Sequence, residues 1–415
     1  MSVVTSSDVA AGTIVAKNFL PAARVLARSF REHHPDVPFF VVLADEVQSC
    51  FEPDREPVTL LSLDALGLPD RRRLCFRYTR HPITASAKPW LLTHLLDLGF
   101  SGALYLDADM LVTGDLTPLF DAARRHSLVL TPHLLRPPRG PDRVARELAV
   151  LRAGAFNGGC LGTSGSSEAR RFLSWMQQRM LFHCRRSLAE GLHHDQRWLD
   201  LAPAMLDDVC IVRDPGCNVA YWNLAERAIE LGPSGMTVGG APCRFVHFSG
   251  FDPARPHALS RHAPPTAEPA TGPVAALFER YARRLESAGL AEAERWPYAY
   301  GAFDNGVPIP DVAREIYLEL GTDVDRFGDP FQAAAPTSFF RWLLQPADAG
   351  PRAGGINRLW DAVYRRRPDV QRAFPDARRR GRRAFLQWAR RTGAAEHGIP
   401  GAFLDTSGGL IAAAR

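Results

Sequence analysis

The chain has no CxxC pair, and its seven cysteines, an odd number in 415 residues, all lie before residue 244. A disulfide framework is a poor reading of that pattern, and reduced thiols in a cytoplasmic protein are the expectation. No segment approaches 18 uninterrupted apolar residues, so no transmembrane helix is expected. No basic region leads into an apolar run at the start, so no secretory signal is read there. Strong charge of either sign is also missing. Fifty basic residues stand against 45 acidic ones, and a formal charge of +5 is too mild at this length to point to nucleic acid. There is no internal repeat. What is present, 46% apolar and 9% aromatic residues, is enough for one large folded domain and a smaller one.

Apolar runs of strand length alternate with helical spacing through the first half. Gly12 to Ala16 (GTIVA) and Phe39 to Leu43 (FFVVL) read as buried parallel strands, with a helix over Leu20 to Phe30 between them. A helix over Leu91 to Leu98 feeds Gly102 to Leu106 (GALYL), and Ser127 to Thr131 (SLVLT) gives a further strand. Strands that are apolar throughout, rather than alternating, predict a sheet covered on both faces and hence an α/β domain.

Composition shifts after residue 252. Pro253 to Pro273 carries six prolines and reads as a connector, and Val274 to Gly289 is helical in spacing. The expected organisation is a catalytic domain over 1–252, a Pro-rich connector over 253–273 and a mainly helical, Arg-rich accessory region over 274–415. Between Arg352 and Arg391 thirteen arginines stand against three aspartates. Trp360 and Tyr364 are four apart and Phe385 and Trp388 three apart, the spacing of helix faces on a small core with arginines solvated around it. An anionic acceptor, a phospholipid surface or nucleic acid is the other reading of such a stretch.

The sequence LDAD over 106–109 ends one of the expected buried strands. Carboxylates taken out of water need a cation or a basic partner, and ligands of parallel sheets gather at the carboxyl ends of strands. A second apolar run, FVHFSG over 245–250, ends in His247. Asp107, Asp109 and His247 would form an oxygen-and-nitrogen site for Mn²⁺ or Mg²⁺ with positions left for a diphosphate. His247 as a core histidine is the alternative. Asn157 and Gly158 suit a sugar pocket, because an amide recognises hydroxyls and glycine admits a ligand to the backbone; a tight turn is the other reading. Ala16, Lys17 and Asn18 after the first strand, with Asp45 after the second, are candidate ligand contacts at the same edge, or else cap and loop residues.

The order LDAD, FNGGCLG over 156–162, HHDQ over 193–196 and HFSG over 247–250 resembles the GT-A fold glycosyltransferases, in particular the retaining family 8 group, over residues 11–255. The resemblance implies a Rossmann-like, mostly parallel sheet covered by helices. It implies a Mn²⁺- or Mg²⁺-dependent transfer of a sugar, with retention, from a nucleoside-diphosphate sugar, UDP-sugars foremost, to a glycan, protein or small-molecule acceptor. Asp107, Asp109 and His247 are the implied metal ligands, and Ala108 and Gly250 are implied donor contacts within the two motifs. Ala16, Lys17, Asn18 and Asp45 fall at the implied nucleotide-base end. Asp195 and Gln196 are the implied catalytic pair, the first accepting from sugar hydroxyls and the second beside the reacting carbon. The family's HxxG runs on into Lys-Pro-Trp, whereas Gly250 is followed here by Phe-Asp-Pro. A KPW occurs earlier, which makes Lys88 the expected phosphate or base contact.

Two other functions fit parts of the pattern. Haloacid-dehalogenase-type phosphatases also follow an apolar strand with Asp-x-Asp, and Asp207-Asp208 could serve as their later acidic pair. Their usual Thr is Leu111 here, and their signature lies nearer the start of the chain. A non-catalytic sugar-nucleotide or glycan binder is the third reading.

Overall fold

The computed structural model describes residues 7–233, 235–264, 267–347 and 356–404. Parts of the expected connector and the Arg352 end of the arginine-rich stretch lie outside these residues. Nine strands build the region of interest: β1 Val9–Val15, β2 Phe39–Leu43, β3 Thr59–Ser62, β4 Gly102–Leu106, β5 Met110–Val112, β6 Leu128–Pro132, β7 Phe156–Ser164, β8 Val209–Ile211 and β9 Phe245–His247. Seven of them form one sheet in the order β8-β6-β7-β4-β1-β2-β3, in which β7 alone runs against the others. β5 and β9 pair antiparallel as a separate ribbon.

Parallel neighbours cannot be joined by a tight turn and need a crossover, which helices supply. Helix α1, Leu20–His33, links β1 to β2 and buries Leu20, Ala23, Leu26, Ala27 and Phe30, a stripe at helical spacing. β1, β2 and β4 are buried along their whole length, as the unbroken apolar runs predicted. β1 begins three residues before the expected start and β6 one residue after it.

FNGGCLG is a full strand inside the sheet, although Asn157 and Gly158 were also compatible with a turn. Glycine in a strand marks a close approach. A Cβ on Gly162 would lie 2.9 Å from Val129 Cβ of the neighbouring strand, one on Gly158 would strike Asp195, and one on Gly159 would strike Asp107, His247 and Asn157.

The chain separates into two compact units, one taking in the chain to Pro69 and Arg80–Tyr298, the other Asp70–Thr79 and the chain from Ala299 onward. These divisions differ from the expected ones at two places. Helix Gly272–Ser287, expected to open the accessory region, puts Leu277, Phe278, Tyr281 and Leu285 into the core shared by α1, β1, β4 and β9. Tyr281 stacks on Phe248 with ring centroids 3.8 Å apart, directly after the strand that ends in His247. Helix α2, Arg71–Arg77, belongs to the second unit: Phe76 packs on Phe303, Tyr317, Phe331 and Phe339. A short excursion from the first half is invisible to a reading that looks for contiguous domains. In the same unit the expected aromatic faces are present, Trp360 and Tyr364 meeting Phe385 at centroid distances of 6.2 and 5.6 Å.

Truncating a buried aromatic costs about 3–5 kcal/mol through lost burial and the cavity left behind. Tyr281→Ala should therefore lower the denaturation midpoint of the first unit, followed in guanidinium by near-UV circular dichroism. A midpoint equal to that of the natural chain would remove this helix from the core.

Candidate functional site

β4 delivers its two aspartates to the carboxyl edge of the sheet. The Asp107 amide donates to the Gly159 carbonyl at 2.7 Å, which fastens the start of the turn to β7. The chain then enters β5, whose Met110 stands opposite His247 of β9, and Phe248 N–H donates to the Asp109 carbonyl at 2.8 Å. This pairing brings a histidine from far along the sequence onto the doublet. One ligand atom from each of Asp107, Asp109 and His247 lies within 4.8 Å of the others. His247 Nε2 stands 3.2 Å from Asp109 Oδ1 and 3.8 Å from Asp107 Oδ2.

The tautomer of His247 is fixed from behind. Its Nδ1 lies 3.1 Å from Asn218 Oδ1, and the Asn218 amide nitrogen is committed to Thr131 Oγ1 at 3.2 Å. An amide oxygen only accepts, so Nδ1 carries a proton and Nε2 is the nitrogen that faces the carboxylates, able to donate a proton to Asp109 or, with that proton lost, to ligate a cation. Trp222 packs edge-on against the ring at 5.3 Å.

Lys88, on helix α3 (Arg80–Asp97), enters from the other side. Its ammonium donates to the Gly158 carbonyl at 2.8 Å and lies 3.3 Å from Asp107 Oδ1 and 3.0 Å from Asp195 Oδ2. The Tyr105 ring is under it at 4.8 Å, and the Tyr105 hydroxyl donates to Asp107 Oδ1 at 2.7 Å. Burial opposes the lysine's charge, but the carboxylates of Asp107 and Asp195 outweigh it and raise its pKa. Burial likewise works against the Asp107 carboxylate, while Lys88, then His247 and the Tyr105 hydroxyl, hold its pKa below the ordinary value. Two carboxylates share the one ammonium and a third, Asp109, stands beside His247, so with the imidazole neutral the group is two positive charges short. His247 covers part of it, because Asp109 and Asp107 raise its pKa against the effect of burial. A divalent cation would close the balance with ligands of the right chemistry, so the residues fit Mn²⁺ or Mg²⁺.

The glycines of β7 make this crowding possible. A Cβ at Gly159 would lie 2.7 Å from each of Asp107 Oδ2, His247 Cε1 and Asn157 Oδ1, and one at Gly158 would lie 2.7 Å from Asp195 Oδ2. Gln196 Oε1 accepts from Gly158 N–H at 3.0 Å and from Asn157 Nδ2 at 3.2 Å, and its Nε2 donates to the Ala153 carbonyl at 2.8 Å. Both ends of its amide are thus committed to holding the entry of β7.

The structure therefore brings Lys88, Asp107, Asp109, Asn157, Gly158, Asp195, Gln196 and His247 together, with buried Ala108 between the aspartates. Ala16, Lys17, Asn18 and Asp45 lie apart from them in direct contacts, at the carboxyl ends of β1 and β2. Lys17 is 1% exposed, donates to Glu46 O at 2.9 Å and Gln48 Oε1 at 2.6 Å, and stands 3.7 Å from Asp45. Gly250 has a positive φ of 68°, and a Cβ there would lie 2.6 Å from both Ser260 Oγ and His262 Cδ2. Its direct role is to admit the 260–262 loop.

Asn218, Tyr105 and His133 belong to this network and went unread in the sequence. Lysine usage was a usable signal. Of the 50 basic residues only Lys17 and Lys88 are lysines, and both are buried at this edge of the sheet.

No protein-family model matches the chain. It is 24% identical over 250 residues to YfnF of Bacillus subtilis (strain 168), an uncharacterised protein, across 58% of this chain and 80% of the relative. YfnD of the same strain, also uncharacterised, is 25% identical over 248 residues, across 58% and 76%. The structural neighbours are glycosyltransferases. The galactosyltransferase LgtC, in complex with donor and acceptor sugar analogues, is 20% identical, with 67% of this chain and 95% of that one covered and a TM-score of 0.39. The apo form of GlyE from Streptococcus pneumoniae TIGR4 is 14% identical, with 72% and 67% covered and a TM-score of 0.41.

His133 gives the site a pH dependence of its own. Its Nε2 faces the Asn157 amide nitrogen at 3.4 Å, and burial lowers its pKa from 6.5 to about 4. A depressed histidine pKa means the unfolded chain binds the proton more readily, so stability is complete above pH 6.5 and falls as pH drops toward 4. The loss attributable to this ring is about 3 kcal/mol. Urea unfolding of the natural chain and of His133→Asn across that window should show the smaller acid slope in the variant. Equal slopes would mean the ring is not held neutral.

Proposed function

We propose that this protein is a metal-dependent glycosyltransferase that moves a sugar, with retention, from a nucleoside-diphosphate sugar, UDP-sugars foremost, to an acceptor, with 1–252 carrying the donor site. The observation that carries this reading is the convergence of Asp107, Asp109 and His247 at the carboxyl edge of the sheet, with ligand atoms within 4.8 Å of one another. Asp107, Asp109 and His247 would hold Mn²⁺ or Mg²⁺, which supplies neutralisation of a diphosphate as it departs.

The remaining residues have separable tasks. Lys88, engaged by Gly158 O, Asp107 and Asp195, holds both carboxylates in place; its role is to position them rather than to grip phosphate. Asn157 and Asp195 offer an amide and a carboxylate to sugar hydroxyls. Gln196 acts by fixing Gly158 N–H and the Asn157 amide. An amide is neither a useful base nor a nucleophile, which supports attack of the acceptor on the face the diphosphate leaves. Lys17 and Asp45 suit the nucleoside end.

The phosphatase reading meets an obstacle in the sheet. Asp208 accepts from Ser127 N–H at 3.0 Å and pairs with His126 at 2.6 Å, just before β6 and β8 begin. Asp207-Asp208 thus sits at the amino edge, opposite to Asp107, and cannot share its site.

Asp107→Asn and Asp109→Asn should each lower Mn²⁺-dependent hydrolysis and transfer by about a hundredfold or more, roughly 3 kcal/mol of transition-state stabilisation, with the thermal melt retained. Full turnover in EDTA would overturn metal dependence, and a phosphorylated Asp107 in the mass spectrum would replace transferase by phosphatase. Gln196→Ala should lower kcat far more than it raises the KM for the donor. Proton NMR of early product from an α-linked donor should show an α linkage, and a β linkage would end the retaining mechanism.

A further inference from the structure

A helix on the surface of the first unit is turned inside out. Arg143–Ala153 carries Val144, Leu148 and Leu151, spaced by four and three residues and so aligned on one face. On an ordinary surface helix that stripe packs inward. Here the three side chains are 54%, 43% and 67% exposed, and the helix has no buried residue. Its less exposed positions are Arg146, Val150 and Ala153, which define the opposite face: Arg146 and Leu148 lie about 200° apart around the axis. The chain has directed an apolar stripe at solvent and rested the helix on its other side.

The stripe is part of a larger patch. Arg197 donates to the Leu151 carbonyl at 3.0 Å and to the Gly191 carbonyl at 3.3 Å, tying the helix to the segments that carry Leu188 and Leu201. Leu188, Leu201 and Met205 are 53%, 41% and 50% exposed. Among the described residues nine large apolar side chains are exposed, and six of them are these. An aligned stripe of three such side chains on one helix face, with the others on segments tied to that helix, marks an interaction surface rather than scattered surface hydrophobics.

Charge decides what covers it. From Arg136 to Ala153 five arginines stand against Asp142 and Glu147, and Arg136, Arg139, Arg143 and Arg152 are exposed. A second copy docking by the same patch would bring a surface of the same net positive charge against this one, since a two-fold interface uses the same patch on both copies. An anionic bilayer offers an apolar layer for the leucines and phosphates for the arginines together. Among the described residues no helix is long and apolar enough to cross a membrane, so this contact would be interfacial. We infer that the Val144, Leu148 and Leu151 face, with Leu188, Leu201 and Met205 beside it, docks on an anionic phospholipid surface. The inference stands whatever reaction the neighbouring site performs.

The test is co-sedimentation of the full chain with vesicles of phosphatidylcholine and of a phosphatidylcholine–phosphatidylglycerol mixture, at low and high salt. The chain should bind the mixed vesicles about tenfold more tightly, and high salt should weaken the difference. Leu148→Glu with Leu151→Glu should abolish binding at an unchanged thermal melt, since neither side chain is buried. Leu98→Glu, exposed outside the patch, should bind as the natural chain does. Should the double variant misfold, Arg143→Gln with Arg152→Gln reads the electrostatic half alone and should lose the preference for phosphatidylglycerol. Absence of vesicle binding by the natural chain, equal binding by the folded leucine variant, or equal preference in the arginine variant would each overturn the inference. So would a dimer in light scattering that the leucine variant converts to a monomer, because a second copy would then cover the face.

Discussion

Negative charge crowded into a half-buried site at the end of a buried strand is the constraint on which this structure turns. Asp107 and Asp195 share a single ammonium, that of Lys88, and Asp109 faces His247 as the adjustable partner. A buried carboxylate is tolerated only with compensation, and every neighbouring choice of residue follows from supplying it. Tyr105 donates its hydroxyl, α3 contributes its lysine from a largely apolar length of helix, and the β5–β9 ribbon carries a histidine to the doublet.

Space is the second half of that constraint. β7 crosses the site with glycines at 158 and 159 because carboxylate and imidazole atoms occupy the volume their side chains would need. The strand gives up β propensity at those positions and is held by other means: Gln196 grips Gly158 N–H, Asp107 N–H reaches the Gly159 carbonyl, and Asn157 caps Gly159 N–H at 3.1 Å. Gln196 also ends the exposed helix 143–153 through the Ala153 carbonyl, so the apolar face and the crowded strand share one anchor.

Asn218 illustrates how far the support extends. It adopts a left-handed backbone with φ of 58°, is fully buried, and spends its amide on Thr131 so that its oxygen can orient His247. Its carbonyl in turn accepts from Asn223 at 3.0 Å. An imidazole is only as directional as the group behind it, and here that group comes from a loop with no periodicity to announce it.

Local patterns in the sequence determined the buried strands, the α/β class, the Asp doublet at a strand end and the histidine at the end of a second apolar run. Those features are written in residues adjacent along the chain, where hydrophobic periodicity and turn chemistry act directly. The sequence also carried Lys88 and Lys17 as the only lysines, a compositional trace of burial in an arginine-rich chain. Tertiary structure alone decided the rest. It made FNGGCLG a strand, because its neighbours supply the crowding that glycine relieves. It assigned helix 272–287 to the first core and Arg71–Arg77 to the second unit, because long-range packing overrides contiguity. It sent Asp207-Asp208 to the far edge of the sheet, turned the stripe of helix 143–153 outward, and gave Asn218 its hold on His247. Each depends on which distant segment lies alongside, and that is fixed only when the whole sheet closes.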